Sequence, residues 1–179
     1  MKVFLVGLPG SGKTTIGKLL SKLLEWDLYD LDNEIEISEG NSINDIFNEK
    51  GEAYFREREK YHLDRLIQLE KNLIISTGGG TPAFHNNMDS INKAGISVFI
   101  DITPQSAAHR IYHSKKKARP MVKDLAEEQV VHKIQELYEK RIAFYSQATL
   151  SFQSGNQDSS IFADEIGKAI LSHINSMSN

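Results

Sequence analysis

The sequence predicts an α/β protein built as three layers, α/β/α, around a five-stranded parallel sheet. Three observations carry that expectation. Short apolar runs of strand length alternate with segments of helical period along the chain. The runs are rich in Val, Ile, Leu and Phe with little polar alternation, as strands covered on both faces require. The first run, Lys2-Val3-Phe4-Leu5-Val6, leads into a glycine-rich loop and then a helix.

That loop, Gly7-Leu8-Pro9-Gly10-Ser11-Gly12-Lys13-Thr14, fits G-x-x-x-x-G-K-[ST] and sits in the strand–loop–helix setting the motif needs. Residues 15–24 follow with apolar side chains at 16, 19, 20, 23 and 24, a helical period. The glycines let successive N–H groups converge on one anion, and the helix N-terminus behind them adds a favourable dipole. Lys13 can reach β- and γ-phosphates and the Thr14 hydroxyl can ligate Mg²⁺. Gly10, Ser11, Gly12, Lys13, Thr14 and Thr15 are therefore the candidate contacts to a nucleoside triphosphate, and the fold class sharpens to a P-loop NTPase fold.

The remaining elements follow in order. A second strand spans 27–30, and residues 33–37 form a short helical piece. Ser42 has the chemistry of an N-cap, with Asp45 three residues on and apolar positions at 43, 46 and 47. Gly51 breaks that helix, and a longer one runs over 52–70 with Phe55, His62, Leu63, Leu66, Ile67 and Leu69 as its inner face. Residues 72–76 are a buried strand ending in Thr77-Gly78-Gly79-Gly80; a helix then starts at Pro82 and stops near Gly95. The fourth strand is 96–101, with a helix over 104–112, an exposed basic loop over 113–124, a long amphipathic helix over 125–145, a fifth strand over 148–152 and a last helix over 160–174.

Composition narrows the class. A chain of 179 residues with 40% hydrophobic and 25% charged residues is one ordinary globular domain. Net charge is −3, which gives no electrostatic case for nucleic acid. There are no cysteines, so disulfides, thiolate metal sites and thiol nucleophiles are excluded. No apolar run is long enough to span a membrane, and the first strand begins at once, so a cytoplasmic enzyme is expected.

Several side-chain groupings point to chemistry. Asp30 and Asp32 close a strand where ligands sit in open parallel sheets, and two carboxylates there can hold Mg²⁺ and accept a hydroxyl proton. Asp101, closing an apolar strand, is a lower-ranked rival for the metal. Gly78-Gly79-Gly80 leaves three backbones without Cβ obstruction, so a ligand can approach them. Arg56 and Arg58 stand near a helix start, where cations oppose the dipole unless an anion is bound, and spacing does not separate them. Arg119-Pro120-Met121, behind Lys115-Lys116-Lys117, suits a flap that closes over substrate. The six histidines are read as scattered, without ligand spacing, and receive no role.

Taken together, the motifs resemble the shikimate kinase family over nearly the whole chain. The landmarks are the loop at 7–14, Asp30-x-Asp32, Ser42-Ile43 to Phe47 with Gly51-Glu52, Phe55-Arg56-x-x-Glu59, Gly78-Gly79-Gly80, Arg119-Pro120 and Arg141-x-x-x-Tyr145. The resemblance implies a nucleoside-monophosphate-kinase-like fold with a lid. It implies transfer of the γ-phosphoryl group of ATP to the 3-hydroxyl of shikimate, with Mg²⁺, by a monomer without nucleic-acid or membrane partners. It makes Lys13, Asp32 and Arg119 catalytic, Asp32 as base and Arg119 as lid arginine, with Arg110 and Arg119 beside the nucleotide. It gives Thr14 and Asp30 to the metal. Asp32, Arg56, Gly78, Gly79, Gly80 and Arg141 would hold shikimate, the arginines clamping its carboxylate. Arg58 is left as a surface residue. Phe47, Phe55, Pro120 and Met121 would wall the pocket, with a substrate region over about residues 33–60 and a lid over about 113–124 of a single domain spanning 1–179.

Three departures stand out. Met121-Val122 replaces the family's usual Leu-Leu, the stretch between Arg110 and Arg119 is slightly long, and residues 153–163 hold no arginine to touch adenine. Rival readings are a gluconate-type kinase or, in another class, a nucleotide-dependent switch. A switch has no need of Arg56 and Arg141 together.

Overall fold

The computed structural model describes residues 1–114, 125–155 and 157–177. The strands are β1 (Lys2–Val6), β2 (Asp27–Asp30), β3 (Leu73–Ser76), β4 (Ile96–Asp101) and β5 (Leu150–Gln153). Their order is β2-β3-β1-β4-β5, and every neighbouring pair is parallel. The chain runs from β1 to β2 on one side of β1 and from β3 to β4 on the other, so a crevice opens at the carboxyl end of β1. The register lines up that edge: Ser76 of β3 stands opposite both Leu5 of β1 and Asp30 of β2.

The helices are α1 (Lys13–Leu24), α2 (Leu31–Glu39), α3 (Ile43–Gln68), α4 (Asn87–Ala94), α5 (Pro104–Tyr112), α6 (Glu127–Tyr145) and α7 (Ser159–Met177). Pleating of β1 sends Val3 and Leu5 to one face, where Ile16 and Leu20 of α1 and Ile166 and Ile170 of α7 cover them. Phe4 and Val6 face the other way, into a core closed by Leu63 and Leu66 of α3, Ile91 of α4, Ile111 of α5 and Ile134 of α6. Burying each such side chain stabilises the fold by about 1.5–3 kcal/mol. Gly17 lets α1 lie close on the sheet: a Cβ there would stand 2.9 Å from Leu28 Cδ1. No described helix is long and apolar enough to cross a membrane.

One expectation changes. The helix expected from Pro82 to near Gly95 is two pieces, a 3₁₀ turn (Thr81–Ala83) and α4, because His85 and Asn86 take positive φ of 51° and 55°. Buried Asn87 then bonds back through Nδ2 to the Thr81 carbonyl at 3.0 Å. The break expected at Gly51 is present: two helical halves of α3 meet there at a kink, with φ 79° and ψ 172°. Ser42 caps α3 through the Asp45 N–H at 3.2 Å, as its position suggests. The expected loop over 113–124, with Arg119, Pro120 and Met121, lies outside the described residues except for its first two positions.

Candidate active site

The loop after β1 turns on Gly7 (φ 141°) and Gly12 (φ 96°), and Gly12 is the residue that opens α1. These are backbone states that side chains with a Cβ adopt only under strain. A Cβ on Gly7 would also come within 2.6 Å of the Ile100 carbonyl oxygen. Lys13 is only 7% exposed and curls back over the loop. Its Nζ donates to the carbonyls of Gly7 at 2.9 Å and Leu8 at 2.8 Å. The Thr14 hydroxyl donates to Asp30 Oδ2 at 2.7 Å, so α1 and the end of β2 are joined beside the loop. Asp30 also caps α2 by accepting from the Asn33 N–H, and Asp32 lies in the first turn of that helix.

Two cavities adjoin here. The first, about 410 Å³, is lined by Gly10 to Ile16, Arg110 and the turn after β5 with Ser154, Gly155 and Gln157. The second, about 720 Å³, is lined by Phe47, Phe55, Arg56, Glu59, Gly78, Gly80 and Arg141. Thr14, Asp30, Asp32 and Gly79 border both. Arg110 stands beside the loop, its Nη1 3.8 Å from where a Cβ on Gly12 would be. Asp101 borders neither cavity and lies 3.4 Å from the Tyr138 hydroxyl, which makes Asp30 the metal candidate in contact with Thr14.

The two arginines of the second cavity are buried, Arg56 at 8% and Arg141 at 7% exposure. Arg56 is held on three sides. Its Nη1 donates to Glu59 Oε2 at 2.6 Å, its Nη2 to Glu52 Oε1 at 2.9 Å, and its guanidinium lies 4.2 Å from the Phe84 ring centroid. Arg141 is different: among the described residues no carboxylate pairs with it. The surface partners its helix offers are engaged elsewhere, Glu136 with His132 and Lys133, Glu139 with Gln135. A buried cation without an acidic partner is costly, and an anion in the cavity would offset that cost. One turn on, burial pushes the Tyr145 hydroxyl up to about 12 although Arg141 beside it pulls the other way.

Arg58, expected at the surface, is half-buried and pairs with Glu39 at 2.6 Å. The reason is the kink at Gly51, which brings the second half of α3 against the end of α2. There Glu39 also accepts from the Tyr54 hydroxyl at 2.7 Å and from Lys50 at 3.0 Å. The triple glycine lines the second cavity. The space its missing Cβ atoms leave is filled by the chain's own side chains: Glu59 and Asp32 against Gly78, Pro9 against Gly79, the Arg56 guanidinium against Gly80. Sequence reasoning gave Glu59 no role, yet it is 1% exposed and joins Arg56 to the Thr81 hydroxyl. Its i,i+3 spacing from Arg56 was the available signal.

The shikimate kinase family model matches residues 9–174. The chain belongs to the shikimate kinase family. A shikimate kinase from Persephonella marina is 38% identical over 164 residues, covering 92% of this chain and 95% of that protein. One from Azobacteroides pseudotrichonymphae is 39% identical over 151 residues, covering 84% and 88%. Among solved structures, shikimate kinase from Acinetobacter baumannii in complex with shikimate superposes with a TM-score of 0.88 at 32% identity, covering 96% of this chain and 93% of that one. The enzyme from Bacteroides thetaiotaomicron gives the same TM-score and identity, covering 94% and 97%. A gluconokinase from Sinorhizobium meliloti reaches 0.57 at 16% identity and shares the fold alone. Shikimate kinase membership thus rests on most of the chain, from the phosphate loop to α7.

Proposed function

We propose that this chain transfers the γ-phosphoryl group of ATP to the 3-hydroxyl of shikimate, giving shikimate 3-phosphate and ADP on the route to aromatic amino acids. The observation that carries it is the meeting of a phosphate-loop cavity and an arginine-lined cavity at Thr14, Asp30, Asp32 and Gly79. A relative with a TM-score of 0.88 binds shikimate, an acid whose carboxylate would complete the charge of Arg141.

In this reading the nucleotide lies along the first cavity, with Lys13 and the N–H groups of Gly10, Ser11, Gly12, Thr14 and Thr15 on its phosphates. Arg110, Ser154, Gly155 and Gln157 flank the rest; with no arginine after β5, the backbone of Ser154 and Gly155 and the Gln157 side chain meet the base. Shikimate lies in the second cavity, its carboxylate on Arg56 and Arg141, with Phe47 and Phe55, whose ring centroids are 4.7 Å apart, walling its apolar side. Asp32 and the Gly79 backbone face its hydroxyls. The 3-hydroxyl oxygen attacks the γ-phosphorus, its proton passes to the Asp32 carboxylate, and the bond from the γ-phosphorus to the bridging oxygen breaks to release ADP. Arg119 would meet the transferring group from a lid over about residues 113–124. Thr14 and Asp30, an all-oxygen pair suited to a hard cation, would hold Mg²⁺. Such an ion supplies charge neutralisation at the β- and γ-oxygens. The substrate region is about residues 33–60 of one domain, acting as a cytoplasmic monomer.

The test is ADP release by the purified protein with shikimate, gluconate or a nucleoside monophosphate as acceptor. Release with shikimate alone is expected. Release with gluconate and none with shikimate would overturn the reading.

A further inference from the structure

His109 and His113 stand one helical turn apart at the end of α5, and Glu127 opens α6 opposite them. The spacing is His-x-x-x-His, which sets two imidazoles on one helix face. The reading of the histidines as lacking ligand spacing overlooked this pair, and the third partner is remote in sequence. His109 Nδ1 lies 3.0 Å and His113 Nε2 3.7 Å from the same oxygen, Glu127 Oε1. One ligand atom from each of the three falls within 4.8 Å of the others. Bonds of about 2.1 Å at tetrahedral angles separate ligand atoms by about 3.4 Å, which the two distances to Glu127 bracket.

The backbones that carry these groups are fixed. Ala107, Ala108 and Ile111 of α5 share one core with Val130 and Ile134 of α6, so the two helix ends cannot drift apart without opening that core. The side chains themselves are exposed, His109 at 66% and His113 at 55%, which leaves room for water to complete a coordination shell. Arg110, the nearest cation in sequence, lies toward Gly12 and the phosphate loop.

We propose that His109, His113 and Glu127 bind one late first-row divalent cation, Zn²⁺ foremost, separate from the Mg²⁺ of the phosphate site. Two imidazoles and one carboxylate favour Zn²⁺, Ni²⁺ or Cu²⁺ over Mg²⁺, which prefers oxygen and water. The bound ion ties the end of α5 to the start of α6. His132 and Glu136 on α6 provide an internal control, since they are 3.3 Å apart but have no second imidazole facing them.

The test is calorimetric titration of Zn²⁺ into the nucleotide-free protein in a non-coordinating buffer, with Mg²⁺ present in excess. One site per chain is expected. His109→Ala and His113→Ala should each weaken it at least tenfold, a scale that even outer-shell losses reach. Glu127→Gln should weaken it less, and His132→Ala not at all. The two histidines are exposed, so melting without metal should be unchanged in the histidine variants, and a Zn²⁺-dependent rise in Tm should vanish in the double histidine variant. Visible absorption of Co²⁺ should appear in the wild type and be lost in that variant. Absence of a stoichiometric site, or equal binding by the double histidine variant, would overturn the proposal, as would an equal loss in His132→Ala.

Discussion

The Tyr145 hydroxyl donates a 2.5 Å hydrogen bond to the Gly79 carbonyl, fastening the end of α6 to the glycine turn after β3. Tyr145 is fully buried and its ring stacks on Phe99 at 5.2 Å, so the contact spans the core to reach the border of both cavities. Removing the hydroxyl takes its partner from the half-buried Gly79 carbonyl, which costs about 0.5–1.5 kcal/mol, the net worth of an ordinary hydrogen bond. Tyr145→Phe should lower stability by that amount in urea unfolding and raise the KM for shikimate more than that for ATP. Unchanged stability would mean that the hydroxyl does not hold the turn.

The two carboxylates at the junction should fail differently. Asp32→Asn removes the proton acceptor and should lower kcat by roughly 10²–10⁴-fold with shikimate still bound. Asp30→Asn replaces the group that accepts from Thr14 and should raise the Mg²⁺ concentration needed for half-maximal rate. If Asp101→Asn altered the Mg²⁺ dependence and Asp30→Asn did not, the metal assignment would be wrong.

Hydrogen bonds from Tyr54 and Lys50 hold the Glu39 carboxyl down at about 2, against an ordinary value of 4.5. A depressed carboxyl contributes stability that is present above its unfolded pKa and fades as pH falls through its folded one. Wild-type stability should therefore drop between pH 4.5 and about 2. Glu39→Gln should be less stable at neutral pH by about 1.5–3 kcal/mol, the scale of hydrogen bonds to a charged group. The gap between the two proteins should close across the acid range in denaturant titrations. Parallel pH profiles would show that Glu39 does not bind α2 to α3 in this way.

Local signals predicted most of the fold. Strand runs, the glycine loop and the Ser42 cap each act within a few residues, and all lie where sequence placed them. The 82–95 segment failed because two positive-φ residues, His85 and Asn86, carry no signal as strong as glycine or proline. At the site, Lys13, Thr14, Asp30, Asp32, Arg56, Gly79, Arg110 and Arg141 line the two cavities and Arg119 lies outside the described residues, whereas the partnerships among them were not legible. Glu59 and Arg58 depend on how the kink at Gly51 aims α3, and the Tyr145–Gly79 bond joins positions 66 apart in the chain. The glycine triplet signalled close approach correctly, but not that Glu59, Asp32, Pro9 and Arg56 are what approach.

The reading of the second cavity as an acid-substrate pocket is tested most directly at Arg141, a buried guanidinium for which no acidic partner exists among the described residues. A surface cation contributes about 0–1 kcal/mol and its loss would scarcely register. Truncating one side of a desolvated charge pair costs about 2–5 kcal/mol. The measurement is steady-state kinetics of Arg141→Ala with shikimate and ATP varied in turn. A KM for shikimate raised at least thirtyfold with the KM for ATP near wild type is the expected result, and wild-type affinity for shikimate would contradict the account.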